Sequence, residues 1–301
     1  MNVIGIDIGG TNFRIGAVNE NNELIKFDKI PVFSIFHSSD VLKDLVEMIE
    51  SFTKGIEYSS IAIGFPATMN ADRSRIIQAP NIPFMEDLPV CEVLHEKLGV
   101  PVYAERDVTF ALCYDMVKYD VKDDGIVSGI YFGTGIGNAL EIHGQPLCGR
   151  HGTAGELGHI PVFGSSEECG CGNTGCLEAV AGGKALAKMQ KEYYPETAIG
   201  DMFLKHSQEA RVLDFIDLMA IAVATEINIL DPDQILLGGG VLNTEGFPKA
   251  HLMKRILARS RKPLPADDLH ILFTEDEKDK CVIGAAIYSR KRQGEAHVKT
   301  L

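Results

Sequence analysis

Asp7-Ile8-Gly9-Gly10-Thr11-Asn12-Phe13-Arg14 puts a carboxylate at the end of a β-branched run and two glycines and a hydroxyl directly after it. Glycine lets a backbone come close to a phosphate, its amides and the Thr11 hydroxyl can donate to the phosphate oxygens, and Asp7 can hold Mg²⁺ through water. The same residues also suit a tight hairpin turn with a capped threonine. Gly133-Thr134-Gly135-Ile136-Gly137 offers the backbone donors a second time, and Gly238-Gly239-Gly240 a third. Three glycine-rich strand ends in one chain favour a nucleotide. No G-x-x-x-x-G-K-[ST] element is present, so such a site is not a P-loop.

A second constellation is metal-like. His159, Cys169, Cys171 and Cys176 supply one imidazole and three thiols in one short stretch, with Gly170, Gly172 and Gly175 available for tight turns. Four such ligands make a closed tetrahedral zinc site, which is structural because no position stays open for substrate. Reduced cysteines in a surface loop are the alternative. Cys91, Cys113, Cys148 and Cys281 are scattered and read as small core hydrophobes. Three carboxylates complete the set. Asp107 at a strand end, Glu156 in Gly155-Glu156-Leu157-Gly158-His159 and Glu178 after the cysteine loop together suit the hydroxyls of a sugar. Taken singly, each suits a surface charge or an ion pair.

These residues sit on an alternation of strands and helices. Val3–Ile8 and Phe13–Val18 read as a hairpin bent at Gly9–Thr11, Val41–Phe52 as a helix and Ile61–Pro66 as a buried strand. Val90–Leu98 is a helix closed by Gly99, followed by a strand over Val100–Ala104 that leads to Asp107. The second half opens alike, with strands Ile126–Phe132 and Ile136–Ile142 around Gly133–Gly135. Aligned at an offset of 124, Gly5 falls on Gly129 and Gly9 on Gly133, an internal repeat of one hairpin. A long helix over Phe215–Leu230, a strand over Gln234–Leu237, a helix near His251–Ser260, a strand over Leu269–Phe273 and a last helix over Val282–Lys291 follow, with a frayed tail after Arg292. The pattern is that of an α/β protein with largely parallel sheets and two related halves.

Composition excludes several classes. The 301 residues are 45% hydrophobic and 24% charged, and the mean hydropathy is +0.03, as in an ordinary globular chain. A formal charge of −13 repels phosphate backbones and anionic lipid, which argues against nucleic acid as a partner. No apolar run is long enough to span a bilayer, since Phe215–Leu230 carries Asp217 and Glu226. Met1–Asp7 shows no basic region followed by an apolar one, so a cytoplasmic protein without a secretory leader is expected.

Asp7-Ile8-Gly9-Gly10-Thr11-Asn12-x-Arg14, Gly133-Thr134-Gly135-x-Gly137, Ala154-Gly155-Glu156-Leu157-Gly158-His159 and Cys169-x-Cys171-Gly172-x-x-Gly175-Cys176-x-Glu178 resemble the ROK family of bacterial sugar kinases and repressors, over essentially the whole chain. Within that family the chain is similar to the bacterial D-allose kinases in Gly64-Phe65-Pro66-Ala67, Pro80-Asn81-Ile82-Pro83, Arg106-Asp107-Val108, Asn228-x-x-Asp231-Pro232-Asp233 and Arg261-Lys262-Pro263-Leu264-Pro265. Two positions depart from the commoner family pattern: Ala67 stands where many members have glycine, and Arg106 where many have asparagine before the aspartate.

The resemblance implies a two-domain actin-like ATPase of the hexokinase and ribonuclease H type, closing over a cleft for ATP and sugar. The small domain is expected over 1–117 plus 282–301 and the large domain, with the zinc loop, over 118–281. By that likeness Asp107 is the general base for the sugar 6-hydroxyl, which attacks the γ-phosphate in line. Asn81, Glu156, His159 and Glu178 bind the other hydroxyls, with His159 giving one ring nitrogen to zinc and the other to sugar. Gly9, Gly10, Thr11, Asn12, Gly133, Thr134 and Gly135 hold the phosphates and Asp7 the Mg²⁺ shell, while Gly239 and Gly240 lie against the nucleoside. Arg14 suits either a phosphate contact or an ion pair. The expected substrate is an aldohexose, D-allose first, with N-acetylmannosamine or glucose as the alternative and a homodimer as the assembly. A sugar-responsive repressor is disfavoured, because repressors of the family carry a helix-turn-helix domain before the first phosphate motif, which here begins at Asp7 in an acidic chain.

Overall fold

A computed structural model describes residues 1–36, 38–79 and 82–294. Asn81 and the tail beyond Gly294 lie outside them.

The β-branched run after Met1 becomes β1 (Asn2–Ile8), which turns at Gly9–Thr11 into the antiparallel β2 (Asn12–Val18). β3 (Leu24–Pro31) continues the meander, and α1 (Val41–Thr53), capped by Asp40 accepting from the Lys43 amide, leads to β4 (Tyr58–Phe65). A small antiparallel sheet of β5 (Thr68–Met69), β6 (Ile76–Gln78) and β7 (Glu86–Leu88) precedes α2 (Val90–Leu98), which ends on Gly99 in the left-handed region. β8 (Val102–Arg106) then runs straight into α3 (Asp107–Lys118). The expected strand over Val100–Ala104 is therefore shifted two residues, and Asp107 is the first residue of a helix. The large sheet has the order β3-β2-β1-β4-β8, with β1, β4 and β8 parallel.

The second half repeats this plan. β9 (Ile126–Phe132) and β10 (Ile136–Ile142) form the hairpin, β11 (Gln145–Pro146) extends it, and β12 (Gln234–Gly238) and β13 (Ile271–Phe273) add parallel strands in the order β11-β10-β9-β12-β13. Both hairpin strands coincide with β1 and β2 at the offset of 124 at all four ends. The bends differ by one residue: Ile8 pairs with Phe13, whereas Phe132 pairs with Ile136. The helices are α4 (Glu178–Ala181), α5 (Gly183–Tyr193), α6 (Met202–His206), α7 (Ala210–Leu230), α8 (Lys249–Arg259) and α9 (Lys280–Gln293).

The chain divides into two compact units, one of residues 1–122, 148–154 and 277 onward, the other of 123–147 and 155–276. In the first, β1 sends Ile4, Ile6 and Ile8 into a core with α1 and α2, while Val3 joins Phe110 of α3 and Val282 and Ala286 of α9. The parallel strands β1 and β4 are covered on both faces, but β2 and β3 pair antiparallel, so the sheet is mixed and not largely parallel as the sequence suggests. In the second, α7 buries Phe215, Ile216, Met219 and Val223 against Ile130 and Ile235 of the sheet. Residues 148–154, which the sequence reading puts in the large domain, belong to the first unit. Arg73 Nη1 donates to the Gly152 carbonyl at 2.7 Å and Arg106 Nη2 to that of Ala154 at 3.0 Å. No described helix is long and apolar enough to cross a membrane.

Candidate functional site

The first unit carries the acidic candidates. In the β1–β2 bend the Gly9 amide donates to the Asn12 carbonyl at 2.8 Å and the Thr11 carbonyl accepts from Val32, so the turn is held from two sides. The amides of Gly10 and Thr11 have no partner among the described residues, which leaves them free to donate to an anion. Asp7 is buried opposite Arg14 in the β-ladder, and Arg14 Nη1 donates to Asp7 Oδ2 at 2.6 Å. Burial raises the Asp7 carboxyl above its ordinary value, and Arg14 pulls it back. Arg14 thus forms an ion pair, while its Nε is buried without a partner among the described residues.

Asp107 opens α3 directly from the sheet. Its Oδ1 accepts from the Val108 amide at 2.9 Å. Burial, and next the negative charge of Asp7, push its carboxyl up to about 6, against the opposing pull of Val108 and Arg106. A carboxylate titrating there is largely ionised at neutral pH yet basic enough to accept a proton. The strand before it is fixed by Glu105, which is fully buried and accepts from Arg73 Nε at 3.0 Å and from the Arg106 amide at 2.8 Å.

The second unit carries the metal-like cluster. The candidate ligand atoms of His159, Cys169, Cys171 and Cys176 all lie within 4.8 Å of one another. Cys169 Sγ is 3.6 Å from His159 Nδ1 and Cys171 Sγ is 3.7 Å from Cys176 Sγ. Zinc about 2.3 Å from sulfur and about 2.0 Å from nitrogen, in tetrahedral geometry, separates S from S by about 3.8 Å and S from N by about 3.5 Å. The donor set and its spacing therefore fit a structural zinc ion. His159 Nε2 points to the other side of the ring, 3.5 Å from Glu156 Oε2. Of the remaining cysteines, only Cys113 is a buried core residue; Cys91, Cys148 and Cys281 are half-buried.

The glycine-rich ends of this unit converge. The Gly133 and Thr134 carbonyls accept from the Gly183 and Lys184 amides of α5 at 2.9 Å each. The amides of Thr134 and Gly135 have no partner among the described residues. Gly239 adopts φ +97°, and a Cβ there would stand 2.5 Å from the Phe132 backbone, so glycine alone lets the third strand end meet the second bend. Val241 donates to the Phe132 carbonyl at 2.9 Å and seals that junction.

The family model described as the ROK family matches residues 3–292. The chain belongs to the ROK family. A glucokinase of Thermotoga maritima is 31% identical over 98% of this chain and 99% of its own. An N-acetyl-D-glucosamine kinase of Vibrio cholerae is 29% identical over 86% of this chain and 92% of its own. The crystal structure of a ROK hexokinase from Thermus thermophilus superposes with a TM-score of 0.78 at 26% identity, covering 98% of this chain and all of that one. The mixed α/β two-sheet architecture is accordingly the actin-like, hexokinase-like fold.

For this ROK chain the structure brings Asp7, Gly9, Gly10, Thr11, Asn12 and Asp107 into one unit, and Gly133, Thr134, Gly135, Glu156, His159, Glu178, Gly239, Gly240 and the cysteines into the other. Two contacts escaped the sequence. Glu105 pairs with Arg73 across 32 residues, and Glu178 Oε2 accepts from the Ile136 amide at 2.8 Å. Neither an ion pair nor a side-chain contact to a backbone amide at such separations leaves a periodic signal.

Proposed function

We propose that this ROK protein is an ATP-dependent hexose kinase that phosphorylates the 6-hydroxyl of an aldohexose, D-allose first. The observation that carries the reading is Asp107: a half-buried carboxyl raised to about 6 at the start of α3, in the same unit as the Asp7–Asn12 bend. Relatives named as sugar kinases that align over most of their own length support it.

In this reading Asp107 takes the proton of the attacking hydroxyl, which must come within hydrogen-bond reach of its Oδ2. Gly9, Gly10, Thr11 and Asn12 with Gly133, Thr134 and Gly135 hold phosphate oxygens through backbone amides, and Asp7 holds the Mg²⁺ shell. Gly239 and Gly240 lie against the nucleoside. Asn81, Glu156, His159 and Glu178 hold the remaining hydroxyls. His159, Cys169, Cys171 and Cys176 would hold a zinc ion, which with no open position would serve to fix the imidazole and the loop. A homodimer belongs to the same proposal and is read by light scattering.

The substrate rests on the likeness to allose kinases, against relatives named for glucose and N-acetylglucosamine. These sugars differ in one hydroxyl or one acetamido group, and a site separates them by a few buried hydrogen bonds. The test is ADP release from Mg-ATP with allose, glucose, mannose, fructose, N-acetylmannosamine and N-acetylglucosamine, beside Asp107→Asn. Turnover on allose that the variant loses supports the whole proposal, and preference for another sugar overturns only its substrate. No turnover on any sugar by zinc-loaded, ATP-binding protein overturns the kinase reading in favour of a sugar-responsive regulator.

A further inference from the structure

The bend that carries Gly133, Thr134 and Gly135 is followed by Ile136, and two arms of the cysteine loop rest on that one residue. From the His159 arm, Gly158 lies so close that a Cβ on it would stand 3.0 Å from the Ile136 carbonyl oxygen and 3.2 Å from Ile136 Cβ. From the Cys176 arm, Glu178 reaches over and its Oε2 accepts from the Ile136 amide at 2.8 Å. The same carboxylate fills the space over Gly135, where a Cβ would stand 2.1 Å from Oε2. The arms are joined by backbone as well: Leu177 donates to the Ile160 carbonyl at 3.0 Å and Val162 to that of Gly175 at 2.8 Å. Across the bend, the first amides of α5 take the Gly133 and Thr134 carbonyls. The bend is thus gripped between α5 and the loop that the four candidate zinc ligands close.

We propose that Glu178 is a positioning residue that couples the zinc loop to the phosphate-binding bend, so that filling the four-ligand site raises affinity for a nucleoside phosphate even with no sugar present. The proposal rests on the bend being a phosphate site, as in the kinase reading. It gives Glu178 a task beyond sugar binding. Oε2 is engaged by Ile136, while Oε1 has no partner among the described residues and stays available to a hydroxyl. The carboxylate holds the Ile136 amide and the Gly135 backbone in place, which keeps the Thr134 and Gly135 amides in one orientation before any anion arrives. Pre-ordered donors bind an anion more tightly than donors that must be ordered by it.

The experiment is calorimetric titration of Mg-ADP, without sugar, into zinc-loaded wild type, Glu178→Ala and Glu178→Gln, each with zinc content and melting temperature measured. Hydrogen exchange over residues 133–137 is followed alongside. A lost hydrogen bond to a charged acceptor predicts an affinity about tenfold weaker in Glu178→Ala, with faster exchange of the Ile136 amide. Glu178→Gln keeps an acceptor oxygen and restores most of the affinity. Zinc removal by a chelator is expected to weaken Mg-ADP in wild type and to add little in Glu178→Ala, because both act through one contact. Unchanged Mg-ADP affinity in folded, zinc-loaded Glu178→Ala, with only the sugar KM raised, overturns the coupling and leaves the kinase reading standing. Failure of wild type to bind Mg-ADP at all overturns both.

Discussion

Arg73 Nε lies 3.0 Å from both carboxylate oxygens of Glu105, and neither residue has appreciable exposed surface. Arg73 also sits at φ +62°, a conformation that side chains rarely adopt, in the turn between β5 and β6. Its second nitrogen holds the Gly152 carbonyl, and Glu105 in turn holds the Arg106 amide one residue before Asp107. The pair therefore ties three separate stretches to the junction where the proposed base sits. Arg73→Met leaves a buried carboxylate without its cation and is expected to destabilise the protein by about 3–5 kcal/mol. Adding Glu105→Gln removes that charge and returns part of the loss. Urea unfolding of the two variants reads this directly, and a double variant as weak as the single one refutes it.

A second prediction concerns pH. The proposed base Asp107 can accept a proton only when ionised, and burial pushes its carboxyl up to about 6. The logarithm of sugar-dependent kcat/KM is therefore expected to rise with a slope near one below about pH 5, bend near 6 and level off above about 7. Asp107→Asn should cut kcat on the order of a hundred- to ten-thousand-fold, the usual contribution of a positioned base. The same shift bears on stability. A carboxyl raised from 3.8 to about 6 in the folded state binds more protons than the unfolded chain between those values, so stability falls as pH climbs through that window. Asp107→Asn escapes this cost and should be more stable than wild type at pH 7.5 by up to about 3 kcal/mol, and no more stable at pH 4. Thermal melts at the two pH values decide it.

The hairpins and their glycine bends were legible because β-branched runs stop abruptly at glycine, and the repeat at 124 gives the strand ends of both halves to the residue. The clustering of His159, Cys169, Cys171 and Cys176 was legible by type and spacing alone. α3 was not: Arg106 gives no side-chain cap, and Thr109 through Met116 are all buried, so no polar face marks a helical period. β3 was hidden for the opposite reason, being largely exposed with no apolar alternation. The return of residues 148–154 to the first unit depends on arginine side chains holding backbone carbonyls, a contact that no local pattern encodes. Ion pairs between remote residues, Arg73 with Glu105 above all, belong to the same class.

A third prediction tests the metal. One zinc ion per chain is expected by atomic absorption, and Cys171→Ser, at the exposed corner of the cluster, should lose it. Because a closed site contributes its binding energy to folding, the variant and the chelated wild type should both melt several degrees lower. With the ring of His159 no longer fixed through Nδ1, the sugar KM is expected to rise more than kcat falls. Wild type that purifies without zinc and is indifferent to chelators would remove the metal from the proposal.

The last prediction separates the two roles open to Arg14. Its guanidinium pairs with Asp7 at 2.6 Å, and its Nε is buried with no partner among the described residues. Burial already raises the Asp7 carboxyl, and Arg14 is what lowers it. Arg14→Met withdraws that pull, so Asp7 keeps its proton to higher pH, and a neutral carboxyl is a poor partner for the Mg²⁺ shell. If Arg14 acts through Asp7, the variant should need more Mg²⁺ for half-maximal activity, more so at pH 6.5 than at pH 8, with little change in the KM for Mg-ATP at saturating Mg²⁺. If Nε instead meets a phosphate, the KM for Mg-ATP rises at every Mg²⁺ concentration and by a similar factor at both pH values. The ion pair observed in the structure favours the first outcome, and a pH-independent rise in that KM would assign the residue to phosphate.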